Sequence, residues 1–286
     1  MTDQESSMCD ESPRTSQSFS EVPISSFTDE EISAVQETKR LLIEKYKLQP
    51  NKLSKQELFI VTINSKLRPE TAAKKYAKWL EALEIFGILS FDEIWKDLLS
   101  GDQADSEWAK LSANFGAFAG AGTDKQGRRV FWIRSRPVQA EEEAIQVRCS
   151  CIYYTALHAD LHTLRNGITF VIDTSNNSMD KPVGNESKMQ KVYQSIPLRP
   201  QRIFILGAGF VKRLVINTLL SIASLFTSEK VVDRIRFAEM EEVKEEVDDE
   251  NLPVYVGGGG GGLQSHEDLV KWVRSRINSI YRIPDI

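Results

Sequence analysis

The chain has 286 residues, 41% of them hydrophobic and 27% charged, a composition that suits a globular protein with one substantial core or two smaller ones. Its formal net charge of -5 excludes the basic stripe of a general nucleic-acid binder, so nucleic acid is not an expected partner. Much of the negative charge is local, in the N-terminal residues and between Glu239 and Glu250, where Lys244 is the single base. The remainder is close to neutral with small basic clusters, which leaves room for contact with an anionic surface.

Residues 1–27 are rich in Ser, Glu, Asp and Gln with little to bury, and are expected to form a disordered tail. They lack the basic start and apolar core of a signal peptide, so a cytoplasmic setting is expected. The cysteines agree: Cys149 and Cys151 are one residue apart, too close for a normal disulfide, and Cys9 lies in the tail, so reduced thiols are expected.

Residues 28–101 read as a small all-helical domain. Thr28 with Glu31, Ser54 with Glu57, and Ser90 with Glu93 fit capping boxes, in which a hydroxyl and a carboxylate satisfy the orphan amides of a helix start. A further helix starts at Pro69, a residue suited to the first helical position. Ile32, Val35, Leu42 and Tyr46 recur at helical spacing in the first helix, as do Ala72, Tyr76, Trp79, Leu80 and Leu83 in the third.

From residue 112 to 286 the pattern changes to α/β. After the turn Asp124 to Gly127, the run Arg129 to Arg134 reads as a strand. Glu141 to Leu164 has no glycine or proline and predicts one long helix. Gly167 to Asp173 is apolar enough to be a central strand covered on both faces. Lys188 to Ser195 predicts a helix and Ile203 to Leu206 a third strand. After Gly207-Ala208-Gly209 comes an apolar helix, Phe210 to Phe226, then a helical turn or two over Ser228 to Arg234, and a fourth strand, Ile235 to Phe237. Strands alternating with helices imply a mostly parallel sheet. Beyond Leu252-Pro253, six glycines from Gly257 read as a flexible joint, and Ser265 caps a last helix bearing Leu269, Trp272, Val273, Ile277 and Ile280.

The Phe210 to Phe226 segment is too apolar for an ordinary surface helix. It is shorter than the roughly 20 apolar residues that span a bilayer, so it is either buried all round or covers something apolar that is not protein. Chemistry-bearing constellations are few. His158 and His162 share a helix face with Asp160 between them, but no third ligand is apparent and no metal is expected. No Ser-His-Asp or Cys-His arrangement has workable spacing, so neither catalytic residues nor a cofactor are expected. Gly207-x-Gly209 after a strand could open a dinucleotide turn, yet the third glycine position is Lys212 and the motif comes late in the chain, which argues against a nucleotide site.

Several motifs together carry a family resemblance: Asp124-x-x-Gly127-Arg128, the Gly167 to Asp173 strand, Pro200-Gln-Arg202 before an apolar strand, the apolar helix, Lys230-x-x-x-Arg234-Ile235, and Leu252-Pro253-x-x-x-Gly257-Gly258. In this order the chain resembles a CRAL-TRIO lipid-binding domain preceded by its small helical domain. The resemblance implies a parallel sheet flooring an apolar pocket and a mobile lid helix over it, in a non-enzymatic carrier of a hydrophobic small molecule or phospholipid that contacts membranes transiently. The residues implied for pocket and lid are Tyr153, Phe170, Ile172 and Phe204, then Phe210, Leu214, Ile216, Leu219, Leu220, Ala223 and Phe226, with Gly207 and Gly209 as hinge. Members that transfer phosphatidylinositol carry Glu at the position of Gln201. Members that carry tocopherol or retinoids and read phosphoinositide headgroups have basic residues matching Arg199, Lys230 and Arg234, all present here; the further base expected in the helical domain is not evident around Ile63 to Ser65. The family's Asn-x-Pro after the third strand is replaced by Gly207-Ala208-Gly209. A relative of the same fold that acts as a protein-interaction module is the alternative.

Overall fold

The computed structural model describes residues 27–89, 122–134, 143–158, 161–174, 188–207 and 233–259. The apolar segment from Phe210 to Phe226, the Ser90 cap, Lys230, Gly209, the helix after Ser265 and residues 1–26 lie outside the described residues. Phe27, assigned above to the tail, packs on Phe59 with ring centroids 4.6 Å apart.

Three helices form the first unit: α1 (Asp29–Glu44), α2 (Lys55–Asn64) and α3 (Pro69–Glu84). The Thr28 box forms as expected: the Thr28 hydroxyl accepts from the Glu31 amide at 3.2 Å, and the Glu31 carboxylate accepts from the Thr28 amide at 2.9 Å. The Ser54 box does not form. The α2 helix is buried almost all round, and its polar groups are claimed by neighbours: the Ser54 hydroxyl donates to Gln56 at 2.8 Å and the Glu57 carboxylate accepts from the Tyr76 hydroxyl at 2.8 Å. A buried carboxylate finds its donor across the core rather than at its own helix start.

The second unit holds β1 (Val130–Arg134), α4 (Glu143–Leu157), α5 (Leu161–Asn166), β2 (Ile168–Asp173), α6 (Lys188–Ser195), β3 (Pro200–Leu206), β4 (Ile235–Phe237) and α7 (Met240–Glu246). The expected single helix from Glu141 to Leu164 is therefore two. At the end of α4, Nδ1 of His158 sits 2.6 Å from the Tyr154 carbonyl, the group that should accept only the helical amide, so the side chain competes with the backbone where the helix stops. The third strand begins at Pro200, three residues earlier than expected, and Gly167 precedes β2 in a left-handed turn at φ +83°.

The four strands among the described residues are all parallel, in the order β1-β2-β3-β4. Phe131, Phe170 and Ile203 lie abreast across three strands, and so do Trp132, Val171 and Phe204. Because side chains alternate along a strand, these two rows point to opposite faces. The first row joins Ile172, Ile205, Val147, Tyr154 and the buried residues of α1, α2 and α3 in one core. The helical unit and this face of the sheet share their interior. The second row packs on a smaller cluster with Ala238, Val243, Val247 and Leu252.

This small cluster is covered by α7 and the strap that follows it. Contrary to the expected flexible joint, Gly257 to Gly259 fold back onto the strap. The Gly258 amide bonds the Pro253 carbonyl at 3.2 Å and the Gly259 amide the Asp249 carbonyl at 2.9 Å. A Cβ on Gly258 would lie 2.3 Å from the Leu252 carbonyl oxygen, so here glycine serves close approach.

Candidate functional site

A parallel sheet brings the residues that enter its strands to one edge and those that leave to the other. An arginine stands at or near the entry to each strand: Arg129 before β1, Arg165 in the last turn of α5 before β2, Arg199 before β3 and Arg234 before β4. The backbone confirms the placement, since the Arg199 carbonyl accepts from Ile168 at 3.1 Å and the Arg234 carbonyl from Ile203 at 3.0 Å. Two of the three basic residues singled out in the sequence, Arg199 and Arg234, thus meet at the amino edge; the third, Lys230, is outside the described residues.

Both guanidinium groups rest on carbonyls instead of acids. Arg199 donates Nη1 to the Arg165 carbonyl, and Arg234 donates Nη1 to the Pro200 carbonyl. Neither forms an ion pair with a carboxylate among the described residues. Nε of Arg199 is buried with no hydrogen-bond partner there. Burial, and then the neighbouring charge of Arg234, pull the Arg199 pKa below its ordinary value. An edge with two such cations is suited to an anion.

The helical unit reaches the same edge. Asn64, at the end of α2, donates to the Pro197 carbonyl at 3.2 Å, as Tyr154 does at 3.3 Å. Exposed Lys66 follows in a left-handed conformation, φ 58°, and Leu67 after it has φ 54°. The base sought around Ile63 to Ser65 has a candidate one residue on, at a turn docked to the Pro197 loop. Sequence spacing alone hides it, because the docking is made by residues 133 apart in the chain.

Of the residues expected to line a pocket, Phe170 and Ile172 lie on the face shared with α4, where Phe170 meets Phe131 with ring centroids 5.3 Å apart. Tyr153 belongs to α4. Phe204 lies on the other face, under the α7 strap, so it does not share a lining with Phe170 and Ile172. Residues that sequence reasoning missed on the α4 side are Phe131, Ile203 and Ile205, together with half-buried Ile133. Their signal was the period of two, which needs the strand register before it sorts residues into faces. Gly207, the first of the two glycines expected as a hinge, follows β3 at φ +72°.

At the carboxyl edge a depression of about 330 Å³ is lined by Asp173, Leu206, Gly207, Glu239, Met240, Tyr255 and Val256. Its walls belong to the strap side of the sheet and include two carboxylates, so it is a different feature from the apolar α4 face. The Tyr255 hydroxyl accepts from Nε1 of Trp132 at 2.7 Å and donates to the buried Asp173 carboxylate, fastening the strap to β1 and β2.

Other reactive groups are packed away. Burial pushes the Cys149 thiol up to about 12 and raises the Cys151 thiol as well, so both are inert protonated thiols in the core. Among the described residues no His, Cys, Asp and Glu cluster could hold a metal ion, and no helix is long and apolar enough to cross a membrane. His158 is buried in the core, whereas His162 is exposed with Nε2 2.8 Å from the Gln126 carbonyl.

The family model for the CRAL/TRIO domain matches residues 115–258, half of the chain. The chain belongs to the CRAL/TRIO domain family. The match spans the whole described sheet, the amino-edge arginines and the strap through Gly258. No curated protein matches the chain. CRAL/TRIO domains bind and transfer lipophilic molecules in general, and their members are in the main not enzymes. The α/β fold with a parallel sheet behind a set of N-terminal helices is the arrangement the motifs implied.

Proposed function

We propose that this CRAL/TRIO protein is a non-enzymatic carrier that shields one small hydrophobic molecule in an apolar pocket floored by the sheet, under a lid formed by Phe210 to Phe226, and docks on anionic membranes by its amino edge. The observation that carries the reading is the apolar character of the sheet. β2 is buried at every position, and β1 and β3 on either side of it add Phe131, Trp132, Phe204 and Ile205, with no charged side chain among these four. A lipid chain is held by removing apolar area from water, about 25 cal/mol per Å² before ordering costs, and needs no reactive group. The lid segment begins just after Gly207 and Gly209, whose backbones tolerate a swing, and ends beside Lys230 and Arg234. A helix of that composition closes over cargo in solution and lies apolar side down on a bilayer.

The basic edge gives the membrane contact its chemistry. Arg199, Arg234, Lys230 and Lys66 suit a phosphorylated headgroup, the first two because their guanidinium groups find no carboxylate among the described residues. The test of cargo is organic extraction of the purified protein followed by mass spectrometry. A stoichiometric hydrophobic compound is expected; a protein that stays empty after exposure to lipid extracts would instead favour the protein-interaction module.

A further inference from the structure

The amino edge is tied to the start of the helical unit by a short run of hydrogen bonds. Arg165 grips both oxygens of Glu31, with Nε and Nη2 each at 2.7 Å. Glu31 is 5% exposed and closes the box that starts α1 by holding the Thr28 amide at 2.9 Å. Behind Arg165, its carbonyl oxygen is held by Nη1 of Arg199. The turn between them is tight, since a Cβ on Gly167 would lie 2.3 Å from the Arg199 carbonyl oxygen. Arg199 is thus one guanidinium with two duties, resting on the last turn of α5 while Arg234 repels it and its buried Nε has no acceptor among the described residues.

We propose that an anion held at the Arg199 and Arg234 edge tightens the docking of α1 on the sheet domain, through Arg165 and Glu31. This regulation rests on the anionic contact of the proposed function and adds a second site to it. A phosphate group at the half-buried guanidinium groups of Arg199 and Arg234 offsets the repulsion between them. The guanidinium is then fixed over the Arg165 carbonyl, the last turn of α5 is held, and the Arg165 fork stays closed on Glu31. Coupling between binding events is reciprocal, so a loosened fork must weaken the anion.

Hydrogen exchange on the full chain tests this, with soluble inositol trisphosphate and with phosphatidylcholine vesicles containing phosphatidylinositol bisphosphate as probes. Either probe should slow exchange of the amides from Thr28 to Val35 in the wild type. Glu31→Gln keeps a capping side chain but loses the charge that Arg165 grips, and Arg165→Lys keeps the carbonyl that Arg199 holds but loses the fork. Each variant, once circular dichroism shows it folded, should bind the probes roughly fivefold or more weakly and show no slowing at α1. Wild-type binding with unchanged exchange at Thr28 to Val35, or unaltered affinity in both variants, overturns the coupling and leaves the anion contact standing. Absence of binding by the wild type overturns the contact itself. Slowing by the soluble probe alone supports the coupling and assigns the anion to free phosphate rather than to a lipid headgroup.

Discussion

The two faces of the sheet are covered in different ways. One face shares a single interior with three helices and buries Trp79, Tyr76, Phe59 and Tyr154 along with its own Phe131 and Phe170. Among the described residues the other is covered by one short helix and a strap, with Val243, Val247 and Leu252 as the buried anchors. The larger cover makes the helical unit and the sheet cooperative, whereas the smaller one, as far as the described residues go, has fewer buried anchors and is expected to open locally first.

The sharpest way to break this contrast is Trp79→Ala. Trp79 is fully buried and meets Tyr154 edge-on with centroids 5.1 Å apart, so its loss should cost about 4 kcal/mol in denaturant unfolding and lower helical unit and sheet together. Two separate transitions would show that the units do not share one core. Leu252→Ala, about 3 kcal/mol at a buried site, should instead act locally, raising hydrogen exchange between Val243 and Val256 while α1 to α3 keep their protection. Equal exchange increases everywhere would make the strap part of the global core. Smaller again is Tyr255→Phe, which removes the hydroxyl shared by Trp132 and Asp173; a loss of about 1 kcal/mol and a shifted Trp132 indole resonance are expected.

The smallest effect is a pH dependence. Burial alone would raise the Glu31 pKa, but the Arg165 and Thr28 hydrogen bonds outweigh it and hold the carboxyl below its ordinary value. The folded state therefore binds this proton more weakly than the unfolded chain. The stabilisation is full above the ordinary carboxylate pKa of about 4.3 and is lost as pH falls through it toward the lower folded value. Glu31→Gln should flatten that acid limb of the stability curve; an unchanged limb would mean that Arg165 contributes nothing there.

The elements were legible wherever apolar runs were long and bounded, as with β2, which is buried at every position. The Thr28 box was legible because its geometry is local. The break between α4 and α5 was not, since it turns on a histidine side chain meeting a carbonyl one helical turn back, in a stretch without Gly or Pro to mark it. Phe204 was grouped with Phe170 and Ile172 because all three are large and apolar, while their faces depend on register. The basic edge was half legible: Arg199 and Arg234 stood out by resemblance, whereas Arg165 and Lys66 gain meaning only from partners far along the chain.

Which side chains each face of the sheet carries is decided partly by a turn that belongs to neither face. The Asp124 carboxylate accepts from the amides of Gln126 and Arg128 at 3.0 Å each, from Nε of Arg128 at 2.7 Å, and from the Thr169 hydroxyl of β2 at 2.7 Å. Since Thr169 lies beside Val130, that last bond locks β2 against β1 like a pin through two plates. Were the pin drawn and β2 to slip by one residue, Val171 would turn toward α4 and Phe170 and Ile172 toward the strap. The composition of each face thus has a determinant in an acid that lies outside both.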